Sequence, residues 1–336
     1  MRMLRADLLV PVDEAVCRAP FLWIGTWSMG GEGFGPHDER ESMDVLLRAA
    51  DEGIRHFDTA GLYAHGRSEE LLSRLIRKKR GSFFISTKGG LVWKGRRVEH
   101  SASPDSLRLQ LKESMKRLGT DYIDLYQLHW PDPRVPISES IDALRSFRDE
   151  GLIRHWGVGN LNSPEVERYI KAGEMIPHQV HFNPIRRAED ILRAGKDRCI
   201  NSIISPLEQG LLTDSKAGSG RKALTKRDLR RRNPCFYNEE VLSWCEKLRN
   251  LCRENGLKTA LAVLLWISSR PSVHILIPGP RRKYQFEEIA GFLTLVERCK
   301  PAREGDAIIS DDSLKEFLFP QLINHLENAP QCGDKR

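Results

Sequence analysis

The chain has 336 residues, 40% of them hydrophobic and 29% charged, with a net charge of +7. This balance excludes disordered and fibrous classes and leaves a globular chain, long enough for one large α/β domain or two ordinary ones. The longest uninterrupted apolar run, 260–267, is too short to cross a bilayer, and Asp7 and Asp13 break the N-terminal apolar stretch, so no membrane span and no signal peptide are expected and the protein reads as cytoplasmic.

Strands and helices alternate along nearly the whole length. A first strand over 21–26 is followed by a Gly-rich loop and a helix over 39–52 that Gly53 ends. The second strand closes at Asp58. A helix over 68–80, with Glu69 and Glu70 in its first turn, stops at Gly81, and the third strand ends at Lys88. A loop containing Trp93 leads to Ser103-Pro104, read as an N-cap and first helical residue, and a helix to Leu118. The fourth strand, 122–129, ends at His129 before Trp130-Pro131, and a helix over 138–150 follows.

The fifth strand, 153–157, precedes the loop Val158-Gly159-Asn160, and a helix opens at Ser163-Pro164. The sixth strand is 179–182, a weaker helix lies near 189–197, and the seventh strand is 202–205. After a basic segment come helices over 238–254 and 258–269, an eighth strand over 273–277, and a helix over 284–296. Residues 312–319 form a short helix before Pro320, and the rest of the tail carries no readable signal. Eight strands with covering helices predict a single (β/α)8 TIM barrel over 1–336, with a long basic loop at about 213–236 and a C-terminal extension at about 297–336. A doubly wound open sheet is the runner-up, but no complete glycine fingerprint is present.

The barrel reading has a chemical consequence. Asp58, Lys88 and His129 then sit at the carboxyl ends of the second, third and fourth strands, with Tyr63 on the loop after the second. A Tyr beside a Lys cation has its phenolate favoured, so its pKa is expected to fall toward working pH, with Asp58 keeping the Lys charged. Residues 216–232 hold eight basic residues against one acid, Asp228. They lack interleaved aromatics, so a mobile loop, solvated or closing over an anionic cofactor, is preferred to a nucleic-acid surface. The seven cysteines show no CxxC pair, and Cys245 and Cys252 share a helix stripe with Val241 and Leu248. They read as buried or scattered thiols, neither a disulfide framework nor a zinc site. Trp93 and Trp130 are open between lining a pocket and packing beneath a loop.

HFDTAGLYAHGRSEELL, ISTKGG, RLGTDYIDLYQLHWPDP, SPLEQGLLT and IPGPRRKYQFEE occur in one order, and with them the chain over about 22–292 resembles the aldo-keto reductases. The resemblance implies a (β/α)8 barrel and NADPH-dependent reduction of an aldehyde, ketone or sugar-like carbonyl, without a metal. It implies a tetrad of Asp58, Tyr63, Lys88 and His129, with Tyr63 as proton donor. By the same resemblance the cofactor falls to Thr26, Trp27, Asp58, Asn160, Gln179, Ser205, Pro206, Leu207, Gly279, Arg281, Gln285 and Glu288. Ile204 stands where the family usually has an aromatic against the nicotinamide, Gly159 for a usual Ser and Ile289 for a usual Asn. Arg281 and Arg282 favour NADPH over NADH. Two alternatives stay open: an NADPH-binding regulatory subunit of the same fold, and a nicotinamide-using epimerase or lyase without net redox. The partner is a small-molecule carbonyl, not nucleic acid or membrane; the oligomeric state is not legible.

Overall fold

Parallel pairing joins eight strands of the computed structural model, which describes residues 20–171, 176–196, 198–299 and 307–332. In chain order these are β1 (Ile24–Gly25), β2 (His56–Asp58), β3 (Phe84–Gly89), β6 (Ile123–Leu128), β7 (Ile153–Gly159), β8 (Ile176–His181), β9 (Cys199–Ile204) and β10 (Ile275–Ile277). Each pairs with the next, and a parallel bridge between Leu22 and Leu276 joins the last to the first, with the Trp23 amide donating to the Leu276 carbonyl at 2.9 Å. The sheet therefore closes, which settles the (β/α)8 barrel against the open sheet. The N-terminal stretch weighed as a signal peptide, Asp197 at the end of the weak helix, and parts of the C-terminal extension lie outside the described residues.

Around the barrel lie α1 (Glu39–Asp51), α2 (Arg67–Ile76), α3 (Pro104–Leu118), α4 (Ile137–Asp149), α5 (Ser163–Ile170), α6 (Glu189–Ala194), α7 (Glu239–Glu254), α8 (Thr259–Ser268) and α9 (Lys283–Val296). In α1 the Asp38 side chain accepts from the Arg40 and Glu41 amides, Val45, Leu46, Ala49 and Ala50 form the buried face, and Gly53 stops it at a φ of 82°. Asn162 caps α5 in a full capping box with Glu165. Among the described residues no helix is long and apolar enough to cross a membrane.

Several expectations need correction. The segment around Trp93 is a two-stranded hairpin, β4 (Leu91–Lys94) and β5 (Arg97–His100), turned at Gly95. Helix α2 ends at Ile76, four residues short of the expected Arg80, and Ser103 makes no side-chain capping bond. Cys245 and Cys252 are buried thiols on α7 as expected, both pushed up to about 12 by burial. Cys235 and Cys332, however, form a disulfide across 97 residues, with Cα atoms 5.8 Å apart. The basic segment, expected as a loop, winds through short 3-10 turns at Arg221–Ala223, Leu229–Arg232 and Pro234–Phe236.

The extension also folds, into α10 (Asp311–Phe317) and α11 (Pro320–Glu327). Helix α11 buries Leu322 and Leu326, and its Glu327 accepts from Trp266 Nε1 at 3.0 Å and from Arg270 at 2.6 Å. Helix α8 is buried almost throughout, so this cover explains how its apolar run avoids water.

Inside the barrel Trp23, Phe84, Leu125, Ile200, Ile275 and Ile277 pack into an apolar cluster of their own. Asp58, Ser86, Lys88, Gln127 and Gln179, also on the strands, are buried as well, so the fold holds charged and polar groups out of water beside an apolar plug.

Candidate active site

Asp58 is the last residue of β2, and its register partners are Gly25 on β1 and Ser86 on β3. Its carboxylate accepts from Lys88 Nζ at 2.6 Å, from Gln179 Nε2 at 2.6 Å and from Ser86 Oγ at 3.0 Å. Lys88, two residues after Ser86 on β3 and so on the same face, spends its other bonds on the Thr59 carbonyl at 2.8 Å and the Tyr63 hydroxyl at 3.3 Å. All three ammonium donors are thus directed. Asp58 and Lys88 are 3% and 4% exposed, so neither charge is screened by bulk water.

Tyr63 opens a tight turn whose next residues, Ala64, His65 and Gly66, all have positive φ, at 49°, 56° and 91°. Non-glycine residues adopt this region at a cost of order 1 kcal/mol each. Two contacts hold the turn in place. Gly30 packs so closely against it that a Cβ there would lie 2.4 Å from that of Ala64. From the hairpin, Trp93 donates its Nε1 proton to the Leu62 carbonyl at 2.9 Å and stacks on His65 at 4.5 Å between ring centres. Trp93 is therefore a brace for the Tyr63 turn, while Trp130 lines the cleft above it.

The expected fall of the Tyr63 pKa is not met. Burial pushes the phenol up, Lys88 opposes this without cancelling it, and the Asp58 charge adds to the rise. The hydroxyl keeps its proton at neutral pH. Burial would push Lys88 down, but Asp58 and Tyr63 hold it above the ordinary lysine value, so it stays charged. His129 packs edge-on against Tyr63 at 5.7 Å, and burial together with the Lys88 charge holds it well below the usual histidine value. The mouth therefore presents a neutral phenol backed by an ammonium ion, beside a neutral imidazole.

These groups open into a cleft of about 420 Å³. It is lined by Trp27, Leu62, Leu91 and Trp130, by Asn160, Ser205, Pro206, Leu207 and Gly279, and by Arg281, Gln285 and Glu288. Two of the residues assigned to a cofactor do not line it. Thr26 is fully buried and donates to the Asp58 carbonyl at 3.1 Å, and Gln179 lies beneath, bonded to Asp58. Asn160, Ser205, Glu208 and Gln209 all take positive φ, so the turns after β7 and β9 bend sharply where they meet the cleft.

Sequence reasoning missed the way the basic segment reaches this site. Leu229 N–H donates to the Gly33 carbonyl at 2.8 Å, and Arg230, lining the cleft, bonds the Phe34 carbonyl at 3.3 Å and the Gln209 carbonyl at 3.1 Å. Its charge is matched by Asp228 at 2.7 Å. Arg281 also donates to the Phe34 carbonyl, but its Nη1 is a buried donor without a partner among the described residues. Burial and the like charges of Arg230 and Arg282 push Arg281 down to about 10. Also missed were His181 and Glu208, 2.9 Å apart, the first lining the cleft and the second fully buried. Burial alone would push Glu208 up, yet His181, Arg186 and Asn233 hold it well below the usual carboxylate range. Strand alternation from Gln179 was the signal for His181.

Residues 22–298 match the Aldo/keto reductase family. Aldo-keto reductase YhdN of Bacillus subtilis strain 168 is 31% identical over 92% of this chain and 97% of its own length. The NADH-specific methylglyoxal reductase of Escherichia coli strain K12 is 30% identical over 85% and 93%. Among solved structures, glycerol dehydrogenase AKR11B4 from Gluconobacter oxydans superposes with a TM-score of 0.72 at 26% identity, covering 94% of each chain.

Proposed function

Because this chain belongs to the aldo/keto reductase family of NAD(P)-dependent carbonyl reductases, we propose that it reduces a small aldehyde, ketone or sugar-like carbonyl, taking NADPH as cofactor and Tyr63 as proton donor. The same reading takes it as a single-domain, cytoplasmic enzyme. The observation that carries it is the chain of contacts from Asp58 through Lys88 to the Tyr63 hydroxyl, 2.6 Å and 3.3 Å long, at the edge of one cleft. When bound, the nicotinamide would supply the hydride. The protein's part is charge and position: Tyr63 gives its proton to the carbonyl oxygen, and Lys88 stabilises the phenolate that results, an interaction strongest once the proton has left. His129, neutral, orients the same oxygen by hydrogen bonding. Trp27, Leu62, Leu91 and Trp130 form the wall for the rest of the substrate.

The cleft's basic residues fit the cofactor. An unpartnered guanidinium nitrogen crowded by two further Arg side chains suits a phosphate dianion, which Arg binds in two-point fashion. NADH is the second reading, favoured by the similarity to the NADH-specific methylglyoxal reductase. Arg281→Ala separates them: it should weaken NADPH binding about 10- to 100-fold, the scale of a charged hydrogen bond, and leave NADH nearly unchanged, as read by fluorescence titration. Equal effects on both would remove the 2'-phosphate assignment. For the function itself, purified protein should consume NADPH with members of a panel of short aldehydes, ketones and hydroxyaldehydes. Failure to bind either dinucleotide below millimolar concentration would end the reductase reading.

A further inference from the structure

Glu208 sits on the turn after β9 and is completely buried. Its carboxylate accepts four hydrogen bonds: Asn183 Nδ2 at 2.7 Å, Asn233 Nδ2 at 2.7 Å, Arg186 Nε at 2.9 Å and His181 Nε2 at 2.9 Å. Three of these partners are amide or guanidinium nitrogens that can only donate, which is the setting of an ionised carboxylate. Facing such a group, His181 presents the Nε2 hydrogen to Glu208, and Nδ1 is the ring nitrogen left for another partner. Of the whole network only His181 lines the cleft.

Its place in the barrel says what lies opposite. His181 ends β8 two residues after Gln179, and so on the same face, one step nearer the mouth. Gln179 itself bonds Asp58, and His181 is in register with Ile204 on β9, which also lines the cleft. The imidazole therefore lines the same cleft as Asp58, Tyr63 and Ile204. Resting on the reductase reading above, we propose that His181 is a binding residue for the nicotinamide half of the dinucleotide, hydrogen bonding through Nδ1 to a ribose hydroxyl or the carboxamide, and that Glu208 is the positioning residue that aims it.

The test uses three ligands on the full chain: NADPH, reduced nicotinamide mononucleotide, and adenosine 2',5'-bisphosphate, which carries only the adenosine end. His181→Ala should weaken the first two about 5- to 10-fold and leave the bisphosphate unchanged, with three of the four donors to Glu208 still in place to keep the fold. His181→Gln, whose amide can both donate to Glu208 and accept from a ligand, should recover part of the loss. Unchanged affinity for NADPH in His181→Ala, or an equal weakening of the bisphosphate, would overturn the proposal. Failure of the wild-type protein to bind any of the three would instead overturn the reductase reading itself.

Discussion

Tyr63→Phe should lower kcat for carbonyl reduction by about 10²–10⁴-fold while leaving the dissociation constant for NADPH within about twofold of wild type. The substitution removes one oxygen and keeps the ring, so the contacts with His129 at 5.7 Å and Trp27 at 6.1 Å remain. Lys88 loses its longest bond but keeps Asp58 and Thr59. What disappears is the proton and the phenolate that Lys88 would stabilise, and a thousandfold loss is about 4 kcal/mol of barrier. The pH profile carries the same claim with a definite sign. Because the phenol pKa is raised, the donor form persists through neutral pH, and the reduction rate should fall through this group only under alkaline conditions. Steady-state kinetics with fluorescence titration decide it: a variant that reduces carbonyls at half the wild-type rate would remove Tyr63 from the chemistry, and one that no longer binds NADPH would show that the hydroxyl serves the fold instead.

That Asp58, Lys88 and His129 meet beside Tyr63 was legible because each of three strands reads as an apolar run ended by a charged or titratable residue, and the barrel brings those ends to one mouth. Spacing along the chain was enough for that. The sign of the Tyr63 shift was not legible, since it depends on how far burial outweighs one ammonium ion, a three-dimensional quantity. The hairpin at Trp93 hid for another reason. Its strands are only four residues each, half-buried where they meet the cleft and exposed toward the turn at Gly95, so no run of buried alternation marks them in the sequence. Nor can sequence pair Cys235 with Cys332, because seven thiols without regular spacing leave the partners undetermined. Arg230 lay within the basic run expected to close over an anion, yet only its bonds to Phe34 and Gln209 single it out from its neighbours.

The second large effect concerns stability. Lys88→Met should cost about 3–5 kcal/mol of folding free energy as well as carbonyl reduction, because it leaves a buried carboxylate without its counter-charge. The wild-type pair is 2.6 Å apart with side chains 2% and 4% exposed, so water cannot replace the missing ammonium. Ser86 and Gln179 would still donate to Asp58, but neutral donors offset only part of the desolvation cost. The Thr59 carbonyl loses its donor as well. Lys88 has a raised pKa in the folded state, so the pair's contribution is fully present below the ordinary value of 10.5 and is lost only as pH climbs through the raised one. The stability gap between variant and wild type should therefore be flat across neutral pH. Adding Asp58→Asn to Lys88→Met removes the stranded charge and should return much of the lost stability without restoring turnover, a non-additivity that urea denaturation of the four proteins measures directly. If Lys88→Met alone unfolds within 1 kcal/mol of wild type, or the double variant is less stable by the sum of both single losses, Asp58 and Lys88 are not a desolvated electrostatic unit.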